Sequence, residues 1–363
     1  MRTGIITRYL LSEFIPPSLL GLLVFTFILI LDRIFELIKL VLTRNVELIV
    51  ILKLIGFLLP SLLTLSIPMA ILTGSLICFG RLSNDNELTA IRSSGISLYR
   101  VLLPVISATL LLCLCLIPLN NNIAPELLYK FRHQYYKLMY KNPLVKLEEH
   151  TFINISDYKI YVEKIKQAKS GLSGIIIYRM EKEKLPTLIT ALEGRIENRN
   201  NSIILHLFNG QIRQRDREDY SKYNILEFNT YDILLASPNS MPDVSKRIKE
   251  MNMKELKAEM NLMKKRGLKL SSILIEIHQR LSFSFSGFVF CLLGAPLGIQ
   301  THSRGKSVGF GLSLMLAFLY YFVMAIGITL SDKNVVSPFF GMWLPNLTFG
   351  IVGSLLILRI VKK

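Results

Sequence analysis

Side chains capable of chemistry gather at a few places in this chain. One is Glu276-Ile-His-Gln-Arg280, where Glu276 and Arg280 stand i,i+4 and share a helix face. It opens a long apolar run, and ionisable groups beside such a run tend to face a cavity or a partner. With His278 between them they could serve as an acid–base pair acting on a lipid, as could Asp32 with Glu36. Neither pair has a nucleophile beside it, so an intramembrane transferase or hydrolase is the weaker reading. Retained activity with Gln or Asn at these positions removes it.

The more informative constellation is the polar island Phe79–Arg100, FGRLSNDNELTAIRSSGISLYR, between two apolar runs. Ser83 or Asn84 is placed to cap a short helix, with Asp85 and Glu87 in its first turn, where the helix dipole favours negative charge. Leu88 and Ile91 give that helix an apolar side, and Gly95 suits a left-handed stop. Arg81, Arg92 and Arg100 frame it, which by the positive-inside tendency puts it in the cytoplasm. A capped helix between two spans offers a grip to something outside the membrane, or else is an ordinary solvated loop.

Other motifs fail on their spacing. Gly305-Lys306-Ser307 lacks the first glycine of a phosphate-binding loop, since position 300 is Gln, and no soluble strand precedes it. The chain is therefore expected to hold no ATPase of its own. The four cysteines, Cys78, Cys113, Cys115 and Cys291, lie in or beside apolar runs without metal-ligand spacing and read as small hydrophobes. His150 and His206 stand alone and read as surface or strand residues.

The elements that must position these residues follow from composition. Of 363 residues 51% are hydrophobic, yet the formal charge is +17. Phe14–Leu31, Ile49–Phe79, Val101–Leu119, Leu281–Ile299, Val308–Leu330 and Phe339–Ile360 each approach or exceed the roughly 20 residues that cross a bilayer. Six spans result, with Pro60 and Pro68 expected to bend the second. The first run is too long for a cleaved signal and has no small-residue cleavage site after Leu31, so it is expected to stay. Short-loop charge favours both termini inside, which leaves the long 120–271 segment outside.

That segment changes character. From about Leu147 to Leu235 the pattern becomes short, alternating and β-branched. About seven strands are expected: Phe152–Ile155, Tyr158–Ile165, Gly174–Met180, Leu188–Leu192, Ile203–Phe208, Ile225–Phe228 and Tyr231–Leu235. Turn chemistry stands between them at Ser170–Gly171, Lys184–Pro186, Asn198–Ser202, Asn209–Gly210 and Asp216–Lys222. A sandwich, jelly roll or small barrel fits. Asp243–Gly267 then reads as a basic amphipathic helix capped by Asp243, lying on the membrane or on the β-domain. The expected fold is an α-helical membrane protein with six transmembrane helices (3+3) and an inserted periplasmic, all-β, jelly-roll-like domain. Its parts are residues 1–143 with the capped helix near 83–95, 144–240 for the β-domain, 241–270 for the linker helix, and 271–363.

The C-terminal third, with Leu293-Gly-Ala-Pro-Leu-Gly-Ile299, Arg304-Gly-Lys-Ser-Val-Gly-Phe310, Tyr320-Tyr321 and Trp343-Leu-Pro-Asn346, resembles the LptF/LptG (YjgP/YjgQ) lipopolysaccharide-export permeases. Arg8-Tyr-Leu, Ile67-Pro-Met-Ala70 and Gly80-Arg-Leu-Ser through Gly95 agree with it, so the likeness spans nearly the whole chain. Phe79-Gly-Arg-Leu-Ser and Glu148-Glu149 lean towards the LptF branch. The resemblance implies a heterodimer of two such permeases on a dimer of the ATPase LptB in the bacterial inner membrane. It also implies passage of lipopolysaccharide through the β-domain to an LptC/LptA-type bridge. The permease itself has no cofactor, because ATP is used by the partner. The island then becomes the coupling helix, with Glu87 matching the family's ATPase-contacting glutamate and Asp85 and Arg92 beside it.

A lipopolysaccharide substrate also accounts for the basic excess better than nucleic acid does. Lipid phosphates need cations at the periplasmic rim, and Arg33, Lys39, Lys53 and Arg280 stand at the corresponding ends of spans one, two and four. Each is alternatively a snorkelling anchor for its helix. A lipoprotein-release or cell-division type permease is the other transport reading, and its four spans per subunit would separate it in a topology map.

Overall fold

The computed structural model describes residues 2–44, 47–141, 149–155, 158–166, 171–179, 187–199, 202–215, 223–236, 245–301 and 306–362. The expected break at Pro143, the turns at 184–186 and 216–222, the Asp243 cap and Gly305 lie outside them, as do the side chains of Asp32, Glu36 and Lys39. The helices are α1 (Arg2–Arg44), α2 (Leu48–Asn84), α3 (Glu87–Ser93), α4 (Leu98–Pro118), α5 (Ala124–Lys141), α6 (Met253–Lys265), α7 (Ser271–Thr301), α8 (Lys306–Asp332) and α9 (Pro338–Lys362). A π-turn, Leu119–Ile123, joins α4 to α5. Between α5 and α6 come β1 (Phe152–Ile155), β2 (Tyr158–Lys166), β3 (Gly171–Arg179), β4 (Thr187–Arg199), β5 (Ser202–Arg215) and β6 (Tyr223–Ala236).

Six helical stretches are long and apolar enough to cross a membrane, three before the strands and three after. They are Gly4–Leu31, Leu48–Asn84, Leu98–Leu138, Ser271–Gln300, Val308–Asp332 and Pro338–Lys362. Buried fractions rank them: 67% of the apolar window of α7 is covered, against 22–33% for the other five. α7 is therefore the most enclosed span, with α2, α4 and α9 packed against it. Between apolar helices the hydrophobic effect gives little direction, so polar side chains and small residues set the contacts. Asn346 of α9 accepts from the Tyr320 hydroxyl of α8 at 2.8 Å and donates to the Ser282 carbonyl of α7 at 2.9 Å. Thr73 of α2 meets Ser313 of α8 at 2.9 Å, and Asn120 of the π-turn donates to Ser284 of α7 at 2.8 Å.

At the α2–α7 crossing the backbones nearly touch: a Cβ at Gly298 would stand 2.8 Å from the Leu76 carbonyl oxygen. Because that neighbour is backbone, Gly298→Ala must push the two helices apart. A cost of about 1–3 kcal/mol is expected, read as a lower melting temperature of the detergent-solubilised protein. An unshifted melting curve would show that the crossing is looser than described.

The second compact unit takes in residues 132–245 and holds the strands. They form one antiparallel sheet in the order β1-β2-β3-β4-β5-β6. This is an up-and-down meander with each strand paired to its chain neighbours, without the crossed connections of a strict jelly roll among the described residues. Its core of Ile160, Val162, Leu172, Ile175, Ile177, Ile189, Leu205, Leu207, Ile233 and others consists of strand residues alone. The sheet must therefore curl over its own apolar face.

The curl has a visible cause. In five strands the inward positions are separated by three residues at one place instead of two: Val162 to Ile165, Leu172 to Ile175, Ala191 to Gly194, Leu207 to Gly210, and Phe228 to Tyr231. These places are neighbours across the sheet, since Val162 pairs with Ile175, Ile175 with Ala191, Ala191 with Gly210 and Gly210 with Phe228. Gly174 (φ 64°) and Asn209 (φ 50°) lie on this line in the left-handed region. A groove of about 860 Å³ runs along its outer side, with Glu163, Leu192, Asn209, Gln211 and Glu227 in its wall.

Two expectations change here for one reason. Asn209–Gly210 is not a turn but the kink of β5, and the two pieces 225–228 and 231–235 are one strand, β6. The phase slip breaks the alternation, and a broken alternation looks like a loop. The number of described strands is accordingly six. His206, expected to stand alone, lies between Asp232 (Nδ1 to Oδ1 2.6 Å) and Glu197 (Nε2 to Oε2 3.4 Å) on neighbouring strands.

Candidate functional site

The polar island is built as the sequence suggested in outline, with different end chemistry. α2 runs on to Asn84, and Asp85 closes it, its N–H bonding to the Arg81 carbonyl at 2.9 Å. Asp85 is thus the end of one helix and not the first turn of the next. Neither Ser83 nor Asn84 caps α3; Asn86, in the left-handed region at φ 57°, precedes it without a side-chain cap. The Ser83 hydroxyl instead donates to the Ile299 carbonyl of α7 at 2.9 Å, fixing the end of α2. α3 stops at Ser94, and Gly95 (φ 78°) takes the left-handed turn that a Cβ would oppose.

Leu88 anchors α3. It is 5% exposed, in a cluster with Phe79, Leu82, Leu98, Val101 and Leu102, and Ile91 packs against the same cluster. The two apolar residues named from sequence therefore do set the buried side, leaving Asp85 and Arg92 exposed.

Glu87 is drawn inward. Its carboxylate accepts from the Tyr9 hydroxyl of α1 at 2.7 Å and lies 3.6 Å from Nη2 of Arg81. Arg81 Nη2 donates to the Tyr9 oxygen at 2.9 Å and pairs with the Glu13 carboxylate at 3.1 Å. One carboxylate from α3, one from α1, a guanidinium from α2 and a phenol from α1 thus form a single group. In the sequence Arg81 stands only as a framing charge, and Tyr9 and Glu13 carry no mark of belonging with it. Four residues apart on a helix, Tyr9 and Glu13 share a face, but nothing in that spacing points to Arg81. Beside them is a cavity of about 510 Å³ lined by Glu13, Pro16, Pro17, Leu20, Ile77 and Phe310 among others.

The expected substrate cations separate into two kinds. Arg33 and Lys53 are exposed, Lys53 with its ammonium 5.9 Å from the Phe57 ring centre. Arg280 is different. Its side chain is 7% exposed; Nε donates to Glu276 at 2.8 Å, Nη1 to the Met251 carbonyl at 2.8 Å, and Nη2 to the Lys249 carbonyl at 3.1 Å. Those carbonyls belong to the turn before α6, so Arg280 closes that turn onto α7. A guanidinium committed to these acceptors ties the turn to the scaffold. His278 packs edge-to-face on Phe339 at 5.5 Å, while Glu276 is held by Arg280. The acid–base pair is thereby divided between separate neighbours.

The strand-to-helix return is fixed next to this. Lys246 bridges Glu126 of α5 (3.0 Å) and Glu255 of α6 (2.7 Å). The Glu255 hydrogen bond holds the Lys246 ammonium above its usual range, opposed by burial and aided by Glu126. Burial pushes the Glu255 carboxyl up, but Lys246 and the Asn252 N–H hold it below its ordinary value. Asn252 caps α6, through a reciprocal box with Glu255. The expected single helix from 243 is a 3₁₀ turn, Ile248–Glu250, followed by α6.

Comparison with known proteins gives two findings. An uncharacterized protein of Rickettsia prowazekii (strain Madrid E) is 23% identical over 337 residues, covering 90% of either chain. The family model described as lipopolysaccharide export system permease LptF/LptG matches residues 8–359. That match takes in α1, the island with Glu87, the strands and nearly all of α9, so this multi-pass membrane protein belongs to the LptF/LptG family of lipopolysaccharide-export permeases.

Proposed function

We propose that this chain is one of two permease subunits of an ATP-driven exporter in the bacterial inner membrane. In this reading it extracts lipopolysaccharide and hands it through the β-domain, residues 144–240, to an LptC/LptA-type bridge. Both termini and α3 face the cytoplasm, and the strands lie in the periplasm. ATP is hydrolysed by an LptB-type dimer that grips α3, and the permease needs no cofactor of its own.

What carries the reading is α3 itself: a seven-residue helix between two spans, seated by Leu88 and carrying Glu87 at its first position. A carboxylate fixed at a helix start can take an arginine of a partner as a directional, charge-assisted contact. Asp85 and Arg92 flank it on the exposed side. Co-purification tests the assignment. The tagged chain should bring down a soluble ATPase, a second six-span permease and bound lipopolysaccharide. A chain that purifies alone and modifies lipids would refute it.

At the opposite end of the spans, Arg33, Lys39 and Lys53 would meet the lipid phosphates, with Arg280 holding the turn above them. Charge reversal at Arg33 or Lys53 should weaken lipopolysaccharide crosslinking severalfold and leave the melting curve in place, as for exposed charges that bind more than they stabilise. Unchanged crosslinking in both would return them to the role of helix anchors.

A further inference from the structure

Glu87 is not an open carboxylate waiting for a partner. It is already held by Tyr9 and Arg81, and Arg81 is shared with Glu13. We propose that Tyr9 and Glu13 are positioning residues that pass the state of the α3 contact to α1, through an exchange of partners at Arg81. The inference rests on the reading of α3 as the helix that docks the ATPase.

The charge balance of the group drives the exchange. Two carboxylates, Glu13 and Glu87, share one guanidinium, and Tyr9 adds a single neutral proton. Among the described residues the group is one cation short. The Arg81 contact to Glu13 is 3.1 Å and that to Glu87 is 3.6 Å, so the cation already leans towards α1. Nε of Arg81 is buried and finds no acceptor among the described residues. A cation brought to Glu87 from outside supplies the missing charge. Glu87 then no longer needs the Tyr9 proton or Arg81. Arg81 closes on Glu13, so the tie from α3 to α1 is released while the existing tie from α2 to α1 tightens.

α1 is built to respond at this point. Pro16 and Pro17 follow Glu13 by one turn, and neither has an N–H to bond back along the helix, so the ladder is weakest just above the group. The cavity of about 510 Å³ lies against the same turn, next to Pro16, Pro17 and Leu20, and leaves room for it to move. Farther along, α1 is held to α2 by the Thr26–Ser66 hydroxyl pair at 2.9 Å. An anchored upper half, a weak turn and a void beside the switched residues are what a lever requires.

The test uses the complete permease–ATPase complex in proteoliposomes loaded with lipopolysaccharide, measuring lipopolysaccharide released per ATP hydrolysed and the ATPase retained on purification. Tyr9→Phe removes one hydroxyl and Glu13→Gln one charge, and neither alters the surface of α3. Each is expected to keep the ATPase bound and hydrolysing while release per ATP falls about fivefold, roughly the net worth of one ordinary hydrogen bond. Glu13→Asp should recover part of the loss. Tyr9→Phe added to Glu87→Gln should cost nothing further, because both act through one group. If Tyr9→Phe and Glu13→Gln release lipopolysaccharide at the wild-type ratio while Glu87→Ala does not, this inference fails and the coupling reading stands. A lowered melting temperature with an unchanged ratio likewise reduces the two residues to structural ones. If Glu87→Ala also behaves as wild type, the reading of α3 falls, and this inference with it.

Discussion

Glu87→Ala is expected to lower lipopolysaccharide release by at least about tenfold while the two permeases and the ATPase still assemble, since hydrogen bonds to a charged group are worth roughly 1.5–3 kcal/mol. Assembly should survive because α3 does not depend on Glu87 for its place. Leu88 seats the helix in its apolar cluster, and the Ser83 bond to Ile299 fixes the end of α2. One hydrogen bond, from the Tyr9 hydroxyl at 2.7 Å, and a looser ion pair with Arg81 at 3.6 Å do disappear, and with them the acceptor offered to a partner. ATP hydrolysis should continue in the mutant complex without matching release. Wild-type transport would show that the partner grips α3 elsewhere, Arg92 being the next residue to change.

Arg280→Met should act on the folded state itself. The guanidinium is buried, paired with Glu276, and supplies donors to carbonyls of the turn before α6. Its removal leaves a carboxylate with side-chain exposure of 14% next to an apolar span and deprives those carbonyls of their partner. Breaking one side of a buried ion pair typically costs about 3–5 kcal/mol. The measurement is thermal unfolding of the purified complex, together with its yield from membranes. Arg280→Met combined with Glu276→Leu should regain much of the loss, because the stranded charge goes with its partner. An unshifted melting curve for Arg280→Met alone would return Arg280 to the surface as a substrate cation.

The sequence makes the spans plain, because an apolar run of membrane length has few other uses. It also places the island, since the polar residues from 81 to 100 interrupt two such runs. Helix ends are harder to read. Ser83, Asn84 and Asp85 all have capping chemistry, and which of them serves α3 depends on how far α2 continues, which the packing of Leu82 and the Ser83–Ile299 bond decide. Arg280 illustrates a second limit. From spacing alone it is a cation at a span end, and only the chain returning from the strands, whose carbonyls it takes, shows what it holds. Tyr9 and Glu13 illustrate a third: they lie 72 and 68 positions before Arg81, and local pattern cannot pair such distant residues. In the strands, alternation locates the sheet and its own interruption conceals the length of β5 and β6.

The phase slip shared by five strands constrains how this domain can diverge. A single-residue insertion or deletion at that line in one strand would rotate half of that strand, sending residues such as Leu205 and Leu207 into water while their neighbours still face inward. Relatives can lengthen hairpin loops freely, but they must keep or lose the fold line in all five strands together. The crease through Gly174 and Asn209 is thus the fixed point from which alignments of this region should be measured.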